Sequence, residues 1–265
     1  MRFTKLRIDG ALPFRGKPRV KLAFAVSAML IVAVTLPYAA FSGDEPAKPG
    51  DVLLKFPAPG MSPSGLAWDG THLWLADDGT DTIYKLDSSN GSVLSSYKSP
   101  GSEPRGLVWN GTHLWQADNA TRKLHQLDGA TGAALSAMDE PATPAKARLP
   151  ELGGLTWDGR NLWCGTVDGW SSRMNQMDPN DGSTKRSFFT KGYPRALATD
   201  GTFIWNATDN DGRRIGIVYK YKLSDGLFVS QFDTPGFYPT GLAFDGHCLW
   251  LVDRETKTIY KLAAN

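Results

Sequence analysis

Five tryptophans recur along the chain, and three residues after each stand Asp77, Asp118, Thr166, Thr208 and Asp253, with Asp78, Asn119, Asp168, Asp209, Asn210 and Asp211 close behind. Oxygen ligands brought together from several copies of one unit suit a hard cation such as Ca²⁺, with Asp77, Asp118 and Asp253 as the metal ligands. The same residue types also cap tight loops through their own backbone, with no ion involved. Both uses remain open, and no other cofactor is called for.

A second recurring place holds Arg105 and Arg195 where the other copies have Ser64, Gly153 and Thr240. A guanidinium there offers a planar fork to a carboxylate or phosphate, or an ordinary salt bridge to the acids just named. Trp170, Tyr193, Phe237 and Tyr238 add aromatic surface, which can stack on a sugar or peptide or simply seal a loop. Histidine is absent from this group. His72, His113 and His247 adjoin glycine turns and His125 takes the place of Tyr84 in the middle of a third strand, so neither a zinc site nor histidine acid–base chemistry is expected. No glycine-rich phosphate loop, GxSxG elbow or HExxH segment occurs.

The elements that position these residues follow from an internal repeat. PSGLAWDGTHLWLAD from Pro63 recurs as PRGLVWNGTHLWQAD, LGGLTWDGRNLWCGT, PRALATDGTFIWNAT and PTGLAFDGHCLWLVD. The place of Trp68 is taken in turn by Trp109, Trp157, Thr199 and Phe244, giving spacings of 41, 48, 42 and 45 residues. Such a period suits a four-stranded propeller blade or a pair of helices. Turn residues interrupt each unit too often for helices, and its runs are aromatic and β-branched, so the units are strands. Asp69-Gly70 and its counterparts supply the hairpin turn between the first two strands. Trp74, Trp115, Trp163, Trp205 and Trp250 hold one equivalent place and are assigned to packing between blades.

The last unit, ending in TIYKLAAN, lacks a fourth strand, while DVLLKFPAPG from Asp51 matches the fourth-strand segment SVLSSYKSPG. The N-terminal strand therefore completes the fifth blade and closes the ring. The fold is all-β, a five-bladed β-propeller over residues 51–265. The loops joining strands two and three, and those joining blades, share one face, where the copies diverge and where binding is expected.

Residues 1–21 form a basic segment expected to stay in the cytoplasm, and the uncharged run 22–41 reads as either a cleaved signal peptide or a membrane anchor, with 42–50 as a linker. The propeller is then exported, to the periplasm or the cell surface, and tied to the membrane through residues 22–41 if these are not cut. A net charge of +2 leaves no footprint for nucleic acid. Cys164 and Cys248 fall at different positions of different units, so two free, buried thiols are expected.

The units GLAWDGTHLWLADDGTDTIYKLD and GLVWNGTHLWQADNATRKLHQLD resemble the repeat of YVTN-like bacterial and archaeal propellers and of the plant-type glutamine cyclotransferases, themselves five-bladed, over residues 51–265. That family's FTQGL-like segment is approached by Phe237-Tyr238-Pro239-Thr240-Gly241-Leu242, without the Gln or Glu. Two readings follow. One is a non-catalytic module outside the cytoplasmic membrane that binds a protein, peptide or small molecule at the loop face. The alternative, implied by the resemblance, is an enzyme forming N-terminal pyroglutamate, with Glu103 or Asp77 shuttling protons.

Overall fold

Each unit folds around one local device. In the first, the N–H groups of Thr71 and His72 donate to Asp69 Oδ1 at 2.9 and 2.7 Å, and Asp69 N–H donates to the His72 carbonyl at 3.1 Å. The central residues of the turn are thus Gly70 and Thr71, one step later than an Asp-Gly centre. Of these two only Gly70 has positive φ, at 98°, and Gly111, Gly159, Gly201 and Gly246 repeat it. The aspartate closes the turn from outside with its side chain, as an Asx cap does.

The computed structural model describes residues 46–141, 151–168, 171–209 and 214–265. The expectations for residues 1–45, and for Trp170, lie outside these. Blade one comprises β2 (Pro63–Trp68), β3 (His72–Asp77), β4 (Thr82–Asp87) and β5 (Val93–Lys98), after β1 (Val52–Pro57). Blade two is β6 (Pro104–Trp109), β7 (Leu114–Asp118), β8 (Lys123–Leu127) and β9 (Ala134–Asp139). Blade three is β10 (Glu151–Trp157), β11 (Leu162–Asp168), β12 (Ser171–Met177) and β13 (Thr184–Phe189). Blade four is β14 (Ala196–Thr199), β15 (Phe203–Asp209), β16 (Gly216–Lys222) and β17 (Phe228–Asp233). Blade five is β18 (Pro239–Phe244), β19 (Cys248–Asp253) and β20 (Thr258–Ala263). Every sheet is four-stranded, and β1 pairs antiparallel with β20 as the outer strand of blade five, with Phe56 opposite Ile259. The expected closure is what forms.

Five apolar clusters lie between consecutive blades, one at each interface. The five repeated tryptophans are all at most 3% exposed. Trp109 of blade two stacks on Trp74 of blade one at 6.4 Å, Trp68 stacks on Trp250 in the same way and Phe244 on Trp205 at 5.4 Å, so an aromatic pair spans three of the interfaces, while blade four has Thr199 at this place. A buried tryptophan removes about 200 Å² from water, worth on the order of 5 kcal/mol. Cys164 is buried, but Cys248 is only half-buried, because it opens β19 beside the turn; no disulfide links them.

The innermost strands β2, β6, β10, β14 and β18 touch in ring order. They come so close that a Cβ on Gly106 would lie 2.5 Å from the Gly153 carbonyl oxygen, and one on Gly241 would lie 2.6 Å from Leu66 N. This backbone contact narrows the middle of the ring and leaves a separate recess on the loop face.

Candidate ligand site at the mouth of the ring

Asp77, Asp118 and Asp253 are fully buried. Asp77 accepts from Ser62 N–H at 2.7 Å and Thr80 Oγ1–H at 2.9 Å; Asp118 from the N–H groups of Glu103 (3.0 Å) and Thr121 (2.7 Å); Asp253 from those of Tyr238 (2.6 Å) and Thr256 (2.8 Å). Each carboxylate thus staples the loop entering its own blade to the loop that follows the second strand. The reason is local: Gly101 lies against the Asp118 carboxylate, where a Cβ would come 2.2 Å from Oδ1. The three expected metal ligands are therefore not gathered around one point, and no group of three or more His, Cys, Asp or Glu able to hold a metal occurs among the described residues.

The residues next to these staples behave differently. Three repeat positions contribute to the channel mouth, one of them from every blade. At the entry of the inner strand stands Ser64, Arg105, Gly153, Arg195 or Thr240, and all five line one cavity of about 250 Å³. The residue after the capping position contributes Asn119 and Arg254 to the lining. The position two before the inner-strand residue contributes Glu151 and Tyr238. The cavity is polar, and it sits where the copies disagree.

Its charges are organised in two groups. Arg105 Nη1 donates to Asp78 Oδ2 at 2.8 Å, and Arg254 Nη2 donates to the same oxygen, while Arg254 Nε donates to Ser62 Oγ at 2.6 Å. Asp78 of blade one thereby joins arginines of blades two and five. Burial opposes its ionisation, but the hydrogen bonds from Arg254 and Ser62 and the two positive charges outweigh this and hold its pKa below the usual carboxylate value. In the second group Arg195 Nε donates to Asp209 Oδ1 at 2.6 Å, and its guanidinium lies 5.2 Å from the Tyr193 ring and 4.9 Å from that of Tyr238. Burial would lower the Arg195 pKa, yet Asp209 raises it further, so this arginine stays charged at any working pH.

Of the residues singled out by sequence, Arg105, Arg195 and Tyr238 line the cavity, and Asp78, Asp209 and Tyr193 hold those that do. Asp77, Asp118 and Asp253 stand behind the lining as loop staples. Glu103 is exposed and outside the cavity lining, and Asp77 is enclosed, so neither proton-shuttle candidate faces the cavity. Arg254 and Glu151 were not singled out. Arg254 was legible as the fifth member of the series Asp78, Asn119, Val167, Asp209, and Glu151 as the partner in repeat of Tyr193 and Tyr238.

No protein-family model matches the chain, and no curated protein matches it by sequence. Among solved structures it is similar to the glutaminyl cyclase of Myxococcus xanthus, with a TM-score of 0.65, 13% identity, and coverage of 80% of this chain and 94% of that one. It is also similar to a chain of a nidogen/laminin complex, with a TM-score of 0.52, 13% identity and 77% of each chain covered. At these identities the likeness is one of fold, and the five-bladed architecture shared with the glutamine cyclotransferase group stands at that level.

Proposed function

We propose that this propeller is a binding module outside the cytoplasmic membrane, whose ligand enters the cavity at the mouth of the ring. One observation carries the reading: residues that differ between the repeats, Arg105, Asn119, Glu151, Arg195, Tyr238 and Arg254, converge on one polar cavity of about 250 Å³, while the repeated residues are consumed by turns and packing. Divergent positions on a repeated scaffold that share one concave, preformed surface are where recognition is built. The basic segment 1–21 ahead of the apolar run 22–41 supports placement outside the membrane, with 22–41 as leader or anchor. The test is calorimetric titration of small polar ligands into the full-length protein. Saturable binding that is lost in Asn119→Leu supports the reading; binding indifferent to every cavity substitution contradicts it.

A second reading has its own support, the fold shared with the Myxococcus glutaminyl cyclase together with a carboxylate, Glu151, lining the same cavity. Pyroglutamate formation needs a group to move a proton between the attacking amine and the departing ammonia. In this reading Glu151 takes that role in place of Glu103 or Asp77. Ammonia released from a Gln-initiated peptide, and abolished in Glu151→Gln, would establish the enzyme. No release at catalytic concentration, with or without added Ca²⁺, would remove it.

A further inference from the structure

We infer that the mouth takes its ligand through a single carboxylate group seated between the guanidinium groups of Arg105 and Arg254, with Asp78 as the residue that positions both. This rests on the mouth being the ligand site, and it narrows that site to one chemical class.

Arg105 and Arg254 reach one oxygen of Asp78 from the blades on either side of it, which fixes two planar forks next to each other. Each guanidinium has five N–H groups, and among the described residues Arg105 uses only Nη1 and Arg254 only Nε and Nη2. The remaining N–H groups belong to side chains 29% and 24% exposed, which are partly withdrawn from water and open to the cavity they line. The neighbouring hydroxyls are already spent as donors. Ser64 Oγ donates to the Ala76 carbonyl at 3.2 Å and Thr240 Oγ1 to that of Pro63 at 2.8 Å, so towards a ligand both can only accept. An anion seated between Arg105 and Arg254 is therefore met by their guanidinium groups and not by these hydroxyls, with Asn119 Nδ2 as a further donor on the lining.

Charge then decides which anion. Arg195 is matched by Asp209, Glu151 adds one negative charge elsewhere on the lining, and Arg105, Arg254 and Asp78 together carry a formal net +1 at the fork. A carboxylate neutralises that single charge and fits the forks side by side. A phosphate near pH 7 carries about 1.5 to 2 negative charges and would bring more of them than a carboxylate to a cavity that Glu151 also lines. The cavity volume limits the ligand to a small molecule or a chain end.

The experiment is calorimetric titration of the full-length protein at neutral pH with three probes: N-acetylglycine, its uncharged analogue N-acetylglycinamide, and inorganic phosphate. The expected result is that N-acetylglycine binds at least about tenfold more tightly than either of the others. Arg105→Gln and Arg254→Gln, checked by thermal melts that match the parent, should each weaken it about tenfold or more. Asp78→Asn raises the local charge to +2 and releases both forks, so the preference for carboxylate over phosphate should shrink by about tenfold, which a merely structural role would not produce. Amide binding as tight as the acid, or tighter phosphate binding, overturns the inference. If those probes still lose affinity in Asn119→Leu, the mouth remains the ligand site. Binding of no probe at tens of millimolar, or binding unmoved by every mouth substitution, overturns both.

Discussion

Asp69, Asp158 and Asp245 each hold two backbone N–H groups of the turn and the indole N–H of the blade tryptophan five residues later on the second strand, with Trp74, Trp163 and Trp250 at 2.8–2.9 Å from Oδ2. Blade two has Asn110 instead, whose only oxygen is taken by Thr112 and His113 N–H, and Trp115 Nε1 is left buried without a partner. In blade four Asp200 accepts from Thr202 and Phe203 N–H through Oδ1, yet Trp205 Nε1 is also without a partner. An amide nitrogen cannot accept, so Asn110→Asp places a second oxygen where Asp69, Asp158 and Asp245 hold the indole. It should raise stability by about 1 kcal/mol in urea unfolding, and an unchanged or lowered midpoint would contradict that account. Acid titration reads the same side chains. Burial opposes ionisation of Asp69, Asp158 and Asp245, but the backbone and side-chain hydrogen bonds outweigh it and keep their pKa values below 3.8. Their stabilisation is complete above the ordinary carboxylate value and is lost as pH falls below it. His125 works in a higher window. Burial, helped by Lys123 and opposed by Asp118, lowers its pKa from 6.5, so the unfolded chain takes up its proton first and stability declines as pH drops below about 6.5. The melting temperature should therefore fall in two stages, and His125→Gln should remove the upper one while leaving the fall below about pH 4.

At the scale of the element, closure depends on one segment. β1 supplies the outer strand of blade five and carries Phe56, which packs in the cluster between blades five and one. Deleting residues 46–57 uncovers the hydrogen-bonding edge of β20 and removes Phe56. The shortened protein should lose several kcal/mol and associate through that edge, seen as larger particles in light scattering. A monodisperse shortened protein with the parent melting temperature would contradict the closure. Strand order, the closing strand and the tryptophan interfaces were all legible in sequence, because repeat period, turn glycines and apolar runs are local signals. The centre of the hairpin turn was misplaced by one residue, since Asp-Gly reads as the turn itself when the aspartate side chain is in fact its cap. Cys248 was misjudged for a related reason, its place at the first residue of β19.

For the whole molecule, the ring converts sequence divergence into a site. Arg105, Arg195 and Tyr238 were legible because each departs from its repeat position, and Asp78 and Asp209 because acids near arginines suggest pairing. The role of Asp77, Asp118 and Asp253 was not decided by sequence, because a loop staple and a metal ligand use the same carboxylate; only the N–H groups at 2.6–3.0 Å separate them. The pairing of Arg254 is hidden in the sequence because its partner comes from another blade, Asp78 lying 176 residues from it in the chain. Ligand binds where the repeats disagree, at the mouth. Hydrogen–deuterium exchange of the full-length protein with and without saturating N-acetylglycine tests it most directly. The account predicts slowed exchange confined to the blade entrances that line the cavity, around residues 103–106, 151–154, 193–196 and 238–241, and to the loop after Asp253. Slowed exchange in the glycine turns or along the outer strands, with the mouth unchanged, would contradict it.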